Sequence, residues 1–230
     1  MHGDRAYVGR YAGSGFRDRK EAGVMLAEEA LKRKFGNPLV LGIPRGGVPV
    51  AYEMARMLNA ELDIVSPMKL RDPHEPELAI GAVMHDGSTF LNYETIAIRG
   101  VDEGYIAVES RRRMDESVRR MREYREGREY PRIEERDVIL VDDGIATGAT
   151  VIVAARWLRK QRLRRLVIAV PVMPKDMVRT ISSEADELIC LLTSEVFLGV
   201  GGFYTDFKQV DDMEVMSLLR EYWGSGGMRS

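Results

Sequence analysis

The chain is poor in several things that would point elsewhere. It has one cysteine, Cys190, which excludes a disulfide within the chain and a cysteine-based zinc site. Cys190 sits in the apolar run Leu188–Leu192, where a buried core thiol is the simplest expectation. The three histidines, His2, His74 and His85, show no metal-ligand spacing. No apolar run approaches the ~20 residues that span a bilayer, so no membrane partner is expected. The polar, glycine-rich N-terminus lacks an apolar signal-peptide core, and the expected address is the cytoplasm. Against 34 Lys and Arg stand 36 Asp and Glu, a formal charge of −2, so nothing favours nucleic acid as a partner. There is no internal repeat and no low-complexity tract. The length of 230 residues suits one domain.

What the chain does have is one stretch of ordered chemistry, Val138 to Thr150. An apolar β-branched run, Val138–Val141, reads as a strand buried on both faces of a parallel sheet. Asp142 and Asp143 follow, then a loop of small residues from Gly144 to Gly148 and a helix beginning near Thr150. Ligands of open parallel sheets sit beyond the carboxyl ends of the strands. The N–H groups of a helix start suit a phosphate. Gly144, Ile145, Ala146, Thr147, Gly148, Ala149 and Thr150 are therefore the candidate phosphate loop, with Thr147 and Thr150 adding hydroxyls. Carboxylates repel phosphate, so the two acids should face the ligand's other end. Paired acceptors suit vicinal hydroxyls such as those of a ribose, or a divalent cation held through hydroxyls or water. Together these describe a ribose 5-phosphate site.

Strands and helices alternate along most of the chain, which predicts an α/β fold with an open, mainly parallel sheet flanked by helices. Residues 1–15 read as loop. A helix is expected over 18–35, with Asp18 as N-cap and Glu21 completing a capping box. The core spans about residues 38–192. In it, Leu39–Ile43 is a strand running into Pro44-Arg45-Gly46-Gly47 and a second helix start. An ordinary tight turn fits those residues, and so does an anion loop with Arg45 as its cation. Residues 67–77 read as a long mobile loop. Leu78–Met84 and Thr89–Asn92 flank His85-Asp86-Gly87-Ser88 as a hairpin. Asp102–Glu129 is a charge-dense helix, best read as a solvated face or a subunit contact. Residues 193–230, with clustered glycines and aromatics, read as a shaped loop followed by a terminal helix.

Strand, acid pair and Thr147-Gly148-Ala149-Thr150 together resemble the phosphoribosylpyrophosphate (PRPP) signature of type I phosphoribosyltransferases. The likeness runs over roughly residues 38–210. It is nearest to a group of bacterial and archaeal phosphoribosyltransferases sharing a Phe-x-Asp-Arg opening and the Pro-Arg-Gly-Gly turn. The resemblance implies a five-stranded parallel sheet with a flexible-loop hairpin and a C-terminal hood, and a homodimer. It implies Mg²⁺ as cofactor, held near Asp142 and Asp143 through ribose hydroxyls or water. Arg45, Gly46, Gly47, Lys69 and Arg71 would then hold pyrophosphate. Asp142, Asp143, Arg45 and Lys69 would carry catalysis. Phe197 or Tyr204 would stack on the acceptor base, Lys175 would meet an exocyclic oxygen, and Asp206 would reach the pyrophosphate-bound metal. The implied reaction joins PRPP to a nitrogenous base, with release of pyrophosphate. One departure matters: Ala146 stands where 6-oxopurine enzymes carry an acid, which weakens a hypoxanthine or guanine assignment. A PRPP or nucleotide sensor on the same fold is the alternative. A phospho-acceptor receiver domain would leave the Thr147–Thr150 loop without a role.

Overall fold

The computed structural model describes residues 6–8 and 15–226. Five parallel strands form its spine: β2 (Pro38–Gly42), β3 (Glu61–Ile64), β7 (Asp137–Val141), β8 (Arg165–Pro174) and β9 (Glu187–Ser194). A sixth, β1 (Ala6–Val8), adds at the edge, giving the order β1-β9-β8-β7-β2-β3. The sequence predicts loop there; Ala6–Val8 instead pairs in parallel with β9, Ala6 opposite Leu188. Three residues are too few to show a period, so only the pairing reveals the strand. The rest of the 1–15 loop expectation, apart from Gly15, lies outside the described residues.

Strand β7 is central and buried along its whole length. Its side chains alternate between two cores. Ile139 and Val141 face a layer with α1 (Arg19–Ala30), α2 (Gly47–Leu58) and α7 (Asp212–Gly224), while Val138 and Leu140 face α5 (Ala149–Arg159) and α6 (Met177–Glu184). Apolar burial on both faces is what makes the run continuous rather than alternating. Cys190 lies in the second core, and burial pushes its thiol up to about 12, as a core thiol should behave. Helix α1 starts at the expected cap: the Asp18 side chain accepts from the Glu21 N–H at 2.8 Å. The return half of the capping box differs, because Glu21 accepts from the Arg17 N–H, one residue early. No helix among the described residues is long and apolar enough to cross a membrane.

A small antiparallel sheet, β4 (Met68–Arg71), β5 (Ala79–Val83) and β6 (Thr89–Leu91), stands beside the main one. The β5–β6 hairpin turns at Gly87, at φ +84°, as Asp-Gly predicts. The long loop expected over 67–77 is corrected: residues 68–71 are strand. Met68 and Leu70 are buried while Lys69 and Arg71 are exposed, a two-residue period hidden among prolines and charges. Asp72 then pins the turn, accepting from the N–H groups of His74 and Glu75 at 2.8 and 2.9 Å. The adjacent Arg99 guanidinium helps hold the Asp72 carboxyl down at about 2. Between hairpin and long helix, α3 (Tyr93–Arg99) is an unforeseen short helix with no buried residue. Its apolar stripe, Tyr93, Ile96 and Ala97, spans barely one turn, too little for sequence reading to find. Helix α4 (Glu103–Arg125) follows, laced with pairs such as Arg119–Glu123 and Arg120–Glu116, which fits the solvated-face reading.

The end of α4 is tied to the sheet by a buried ion pair. Arg125 Nε lies 2.9 and 3.1 Å from the two carboxylate oxygens of Asp63 in β3, and its guanidinium stacks over Tyr130. Burial still pushes Asp63 up to about 6. Arg125→Met is expected to destabilise the fold at neutral pH by roughly 3–5 kcal/mol, because it leaves a buried charge uncompensated. Such a carboxyl has its pKa raised further in the folded state. The cost relative to wild type is therefore full above that raised value and fades as pH falls to the wild-type folded value of about 6. Urea unfolding of R125M and D63N/R125M at neutral and mildly acidic pH checks this. The double variant should recover part of the loss, and acid should narrow the gap between R125M and wild type.

Candidate functional site

Parallel pairing of β2 with β7 sets Gly42 opposite Val141, so the two strands release their following loops side by side. Between those loops lies a cavity of about 210 Å³. It is lined by Pro44 and Gly46 from the first loop, by the run Asp142–Gly148 with Thr150 from the second, by Lys69, and by Val200 from the 3₁₀ turn Val200–Phe203. Helix α5 opens at Gly148 with no side-chain cap, so its N-terminal end is left for a ligand. Gly148 has φ +76°, where a Cβ would be strained, and that Cβ would also meet Met177 Cε at 2.7 Å.

The Pro44–Arg45 peptide is cis. The turn that follows packs hard on the acids. A Cβ on Gly46 would fall 2.0 Å from Asp143 Oδ2, and one on Gly47 would fall 2.7 Å from Val141 O and 2.8 Å from Asp142 Cα. Gly46 itself has φ −62°, so space rather than conformation demands glycine there. The Asp143 N–H donates to Asp142 Oδ1 at 2.9 Å. Burial lifts the Asp142 carboxyl well above the carboxylate range; the charge of Asp143 pushes the same way, against Lys69 and Arg19. Burial also raises Asp143, against the pull of Arg19. Two acids held this close resist double ionisation and invite cations or hydroxyl donors.

The expected site residues divide. Asp142, Asp143, Gly144, Ile145, Ala146, Thr147, Gly148, Thr150, Gly46 and Lys69 all line the cavity. Two backbone donors are spent, however. The Gly47 N–H donates to Ile43 O at 3.0 Å and the Ile145 N–H to Val172 O at 2.9 Å. Neither amide is therefore open to an anion, and Ile145 serves as core. The Ala149 side chain is buried too. Arg45 is absent from the lining; its guanidinium lies 3.7 Å from Asp212 at the start of α7, whose carboxylate also accepts from the Tyr124 hydroxyl at 2.5 Å. Arg71 is exposed beyond the cavity, its carbonyl accepting from the Tyr105 hydroxyl at 2.9 Å.

A second, larger cavity of about 750 Å³ shares Ala146 and Thr147 with the first. Lys175, Glu195, Phe197 and Leu198 line it, and Lys175 pairs with Glu195 at 2.7 Å. Phe197 stacks on Phe203 at 5.1 Å. Tyr204 is not a platform for a base: it is buried between Phe16 and Phe207, and its hydroxyl donates to the backbone carbonyl of Asp143 at 2.6 Å. Clustered aromatics without a period do not tell core from platform, which is why the sequence misplaced it. Asp206 faces a separate depression beside Asp18 and Lys20, paired with Lys208 at 2.9 Å, so it does not reach the acid pair.

The residue that sequence reasoning missed is Arg19. Its Nε donates to Asp143 Oδ2 at 2.7 Å across 124 positions of chain, and both side chains are nearly buried, 11% and 13% exposed. The Phe-x-Asp-Arg opening was the only signal, and the capping role of its Asp18 accounted for it.

The family profile described as the phosphoribosyl transferase domain matches residues 18–208. Two Mycobacterium tuberculosis proteins, from strains CDC 1551 and H37Rv, carry phosphoribosyl transferase as a provisional name. Each is 40% identical over 204 residues, covering 89% of this chain and 46% of the relative. The chain thus spans about half the length of these curated relatives. The solved structure of TT1426 from Thermus thermophilus superposes with a TM-score of 0.75 at 40% identity, covering 90% of this chain and 99% of that one.

The two glycines of the turn should behave differently. Gly47→Ala sets a methyl against backbone of the central strand, which cannot yield, and should cost about 1–3 kcal/mol by overpacking. Gly46→Ala meets a side-chain carboxylate, which can move aside only by giving up its bond to Arg19 Nε, and should cost less than displacing backbone. Denaturant unfolding of both variants checks the order, and equal losses would contradict the close approach.

Proposed function

The chain belongs to the phosphoribosyl transferase domain family, and on that premise we propose that it transfers the ribose 5-phosphate of PRPP to a nitrogenous acceptor and releases pyrophosphate. The observation that carries this reading is the convergence of the Pro44–Gly47 turn and the Asp142–Thr150 loop on one cavity with Lys69 at its wall. In this reading the 5′-phosphate sits on Thr147, Gly148, Thr150 and the open end of α5. Asp142 and Asp143 accept from the ribose hydroxyls and favour positive charge developing on the ring. Lys69 and the Gly46 side of the turn face the pyrophosphate. Arg45 joins them by leaving Asp212, a pairing whose 3.7 Å separation is loose.

The acceptor belongs in the larger cavity, which meets the first at Ala146 and Thr147. Phe197 offers a flat apolar contact there and Lys175 a donor. With Ala146 in the shared wall, the phosphate loop brings no base to the acceptor. A nucleobase that attacks without losing its proton in the same step suits the site best.

Mg²⁺ is the cofactor that this reading requires. Among the described residues no group of three or more His, Cys, Asp or Glu could hold a metal. An acid pair beside a phosphate loop instead suits an ion carried largely by water and substrate oxygens, so the residues fit. Bound there, Mg²⁺ would neutralise charge on the leaving pyrophosphate.

A screen of PRPP and Mg²⁺ with each nucleobase, read by pyrophosphate release, tests the proposal directly. Release with one base and not the others is the expected result. PRPP binding without release from any acceptor would assign the sensor reading instead. Thr147→Val should weaken PRPP binding by roughly 1–3 kcal/mol, the range for a lost charged hydrogen bond. Calorimetry showing unchanged affinity would remove the 5′-phosphate from this loop.

A further inference from the structure

Asp143 is held from outside the sheet that delivers it. Its backbone carbonyl takes the Tyr204 hydroxyl at 2.6 Å and its Oδ2 takes Arg19 Nε at 2.7 Å. Arg19 is fixed in turn: its Nη1 donates to the carbonyl of Lys208 at 2.7 Å, and its guanidinium lies over the Phe207 ring at 3.8 Å. The segment before Arg19 is stitched to the same hood. The Phe16 N–H donates to Phe203 O at 2.7 Å, and the N–H groups of Thr205 and Asp206 donate to the carbonyls of Phe16 and Arg17 at 2.8 and 2.7 Å. The first turn of α1 and residues 203–208 thus form a clamp that closes on one carboxylate.

That clamp has a chemical consequence. With Oδ2 held by Arg19, the Asp143 carboxylate is fixed in rotation. It cannot swing away from its place beside Gly46, where a Cβ would fall only 2.0 Å from Oδ2, without breaking that bond. We propose that Arg19 is a positioning residue for the ribose end of the substrate, aiming the other oxygen of Asp143 at a sugar hydroxyl while taking no contact with the phosphates. The inference rests on the PRPP reading above. It adds that the N-terminal helix and the hood, two segments flanking the sheet, set the orientation of the ribose-binding acid. Arginine suits this role better than lysine, because one planar fork meets the carboxylate, the Lys208 carbonyl and the Phe207 face at once.

The test is calorimetry of PRPP, ribose 5-phosphate and inorganic phosphate on wild type, Arg19→Met, Arg19→Lys, Asp143→Asn and the R19M/D143N double variant, with thermal unfolding run alongside. In R19M, affinity for PRPP and ribose 5-phosphate should fall about tenfold or more, the size of a lost charged hydrogen bond. Affinity for inorganic phosphate, which needs only the Thr147–Thr150 loop, should not move. R19K should fall in between. R19M should add nothing in the D143N background, since partners in one contact are non-additive. A merely structural role would lower the unfolding temperature of R19M while its folded fraction bound all three ligands as before, and that result would overturn the proposal. Additive losses in the double variant would overturn it as well. Wild-type protein that binds phosphate but neither PRPP nor ribose 5-phosphate would sink the functional reading along with it. Wild-type binding matched by R19M would sink this inference alone.

Discussion

The site depends on one close contact, the packing of the Pro44–Gly47 turn against Asp142 and Asp143. In-register pairing of β2 with β7 brings the two strand ends together. Only residues without a Cβ allow the loops to touch, since Gly47 abuts Val141 O and Asp142 Cα. The cavity of about 210 Å³ is what remains between them. Wider separation would split it into a phosphate loop and an unrelated turn. The same contact forces two carboxylates into a space that raises both, and the charges of Arg19 and Lys69 oppose that rise.

Much of this was legible because it is local in sequence. Val138–Val141, the acid pair and Thr147–Thr150 are contiguous, so strand, switch of chemistry and helix start can be read in order. The glycine turn after Leu39–Ile43 could be read in the same way. The core strands at Leu39–Ile43 and Val138–Val141 and the hairpin followed from apolar runs and turn residues. What escaped is non-local or too short to show a period. Arg19 meets Asp143 across 124 residues, and apart from the Phe-x-Asp-Arg opening nothing in its neighbourhood distinguishes it from a surface cation beside an N-cap. Strand β1 is three residues long and exists by virtue of β9. Lys69 and Arg71 share a face of β4, yet only Lys69 reaches the cavity. Tyr204 went from ligand contact to core because a buried ring and a stacking platform have the same composition.

The hood emerges with two roles. Its outer part, with Phe197 and Leu198, shapes the larger cavity. Its inner part, from Phe203 to Lys208, carries the carbonyls and rings that fix Arg19 and Asp143. The Phe197–Phe203 stack joins the two, so the wall of the larger cavity is in direct contact with the segment that holds Asp143. Such a link suits the proposed transfer, in which sugar and acceptor must meet with their reacting atoms aligned.

The most direct measurement is a crystal structure of this protein soaked with PRPP and Mg²⁺. The expected result is the 5′-phosphate on Thr147–Thr150, the ribose hydroxyls on Asp142 and Asp143, and the pyrophosphate against Lys69 and the Gly46 side of the turn. Phosphate density anywhere else, or a ribose turned away from the acid pair, would contradict the assignment of this cavity as a ribose-phosphate site.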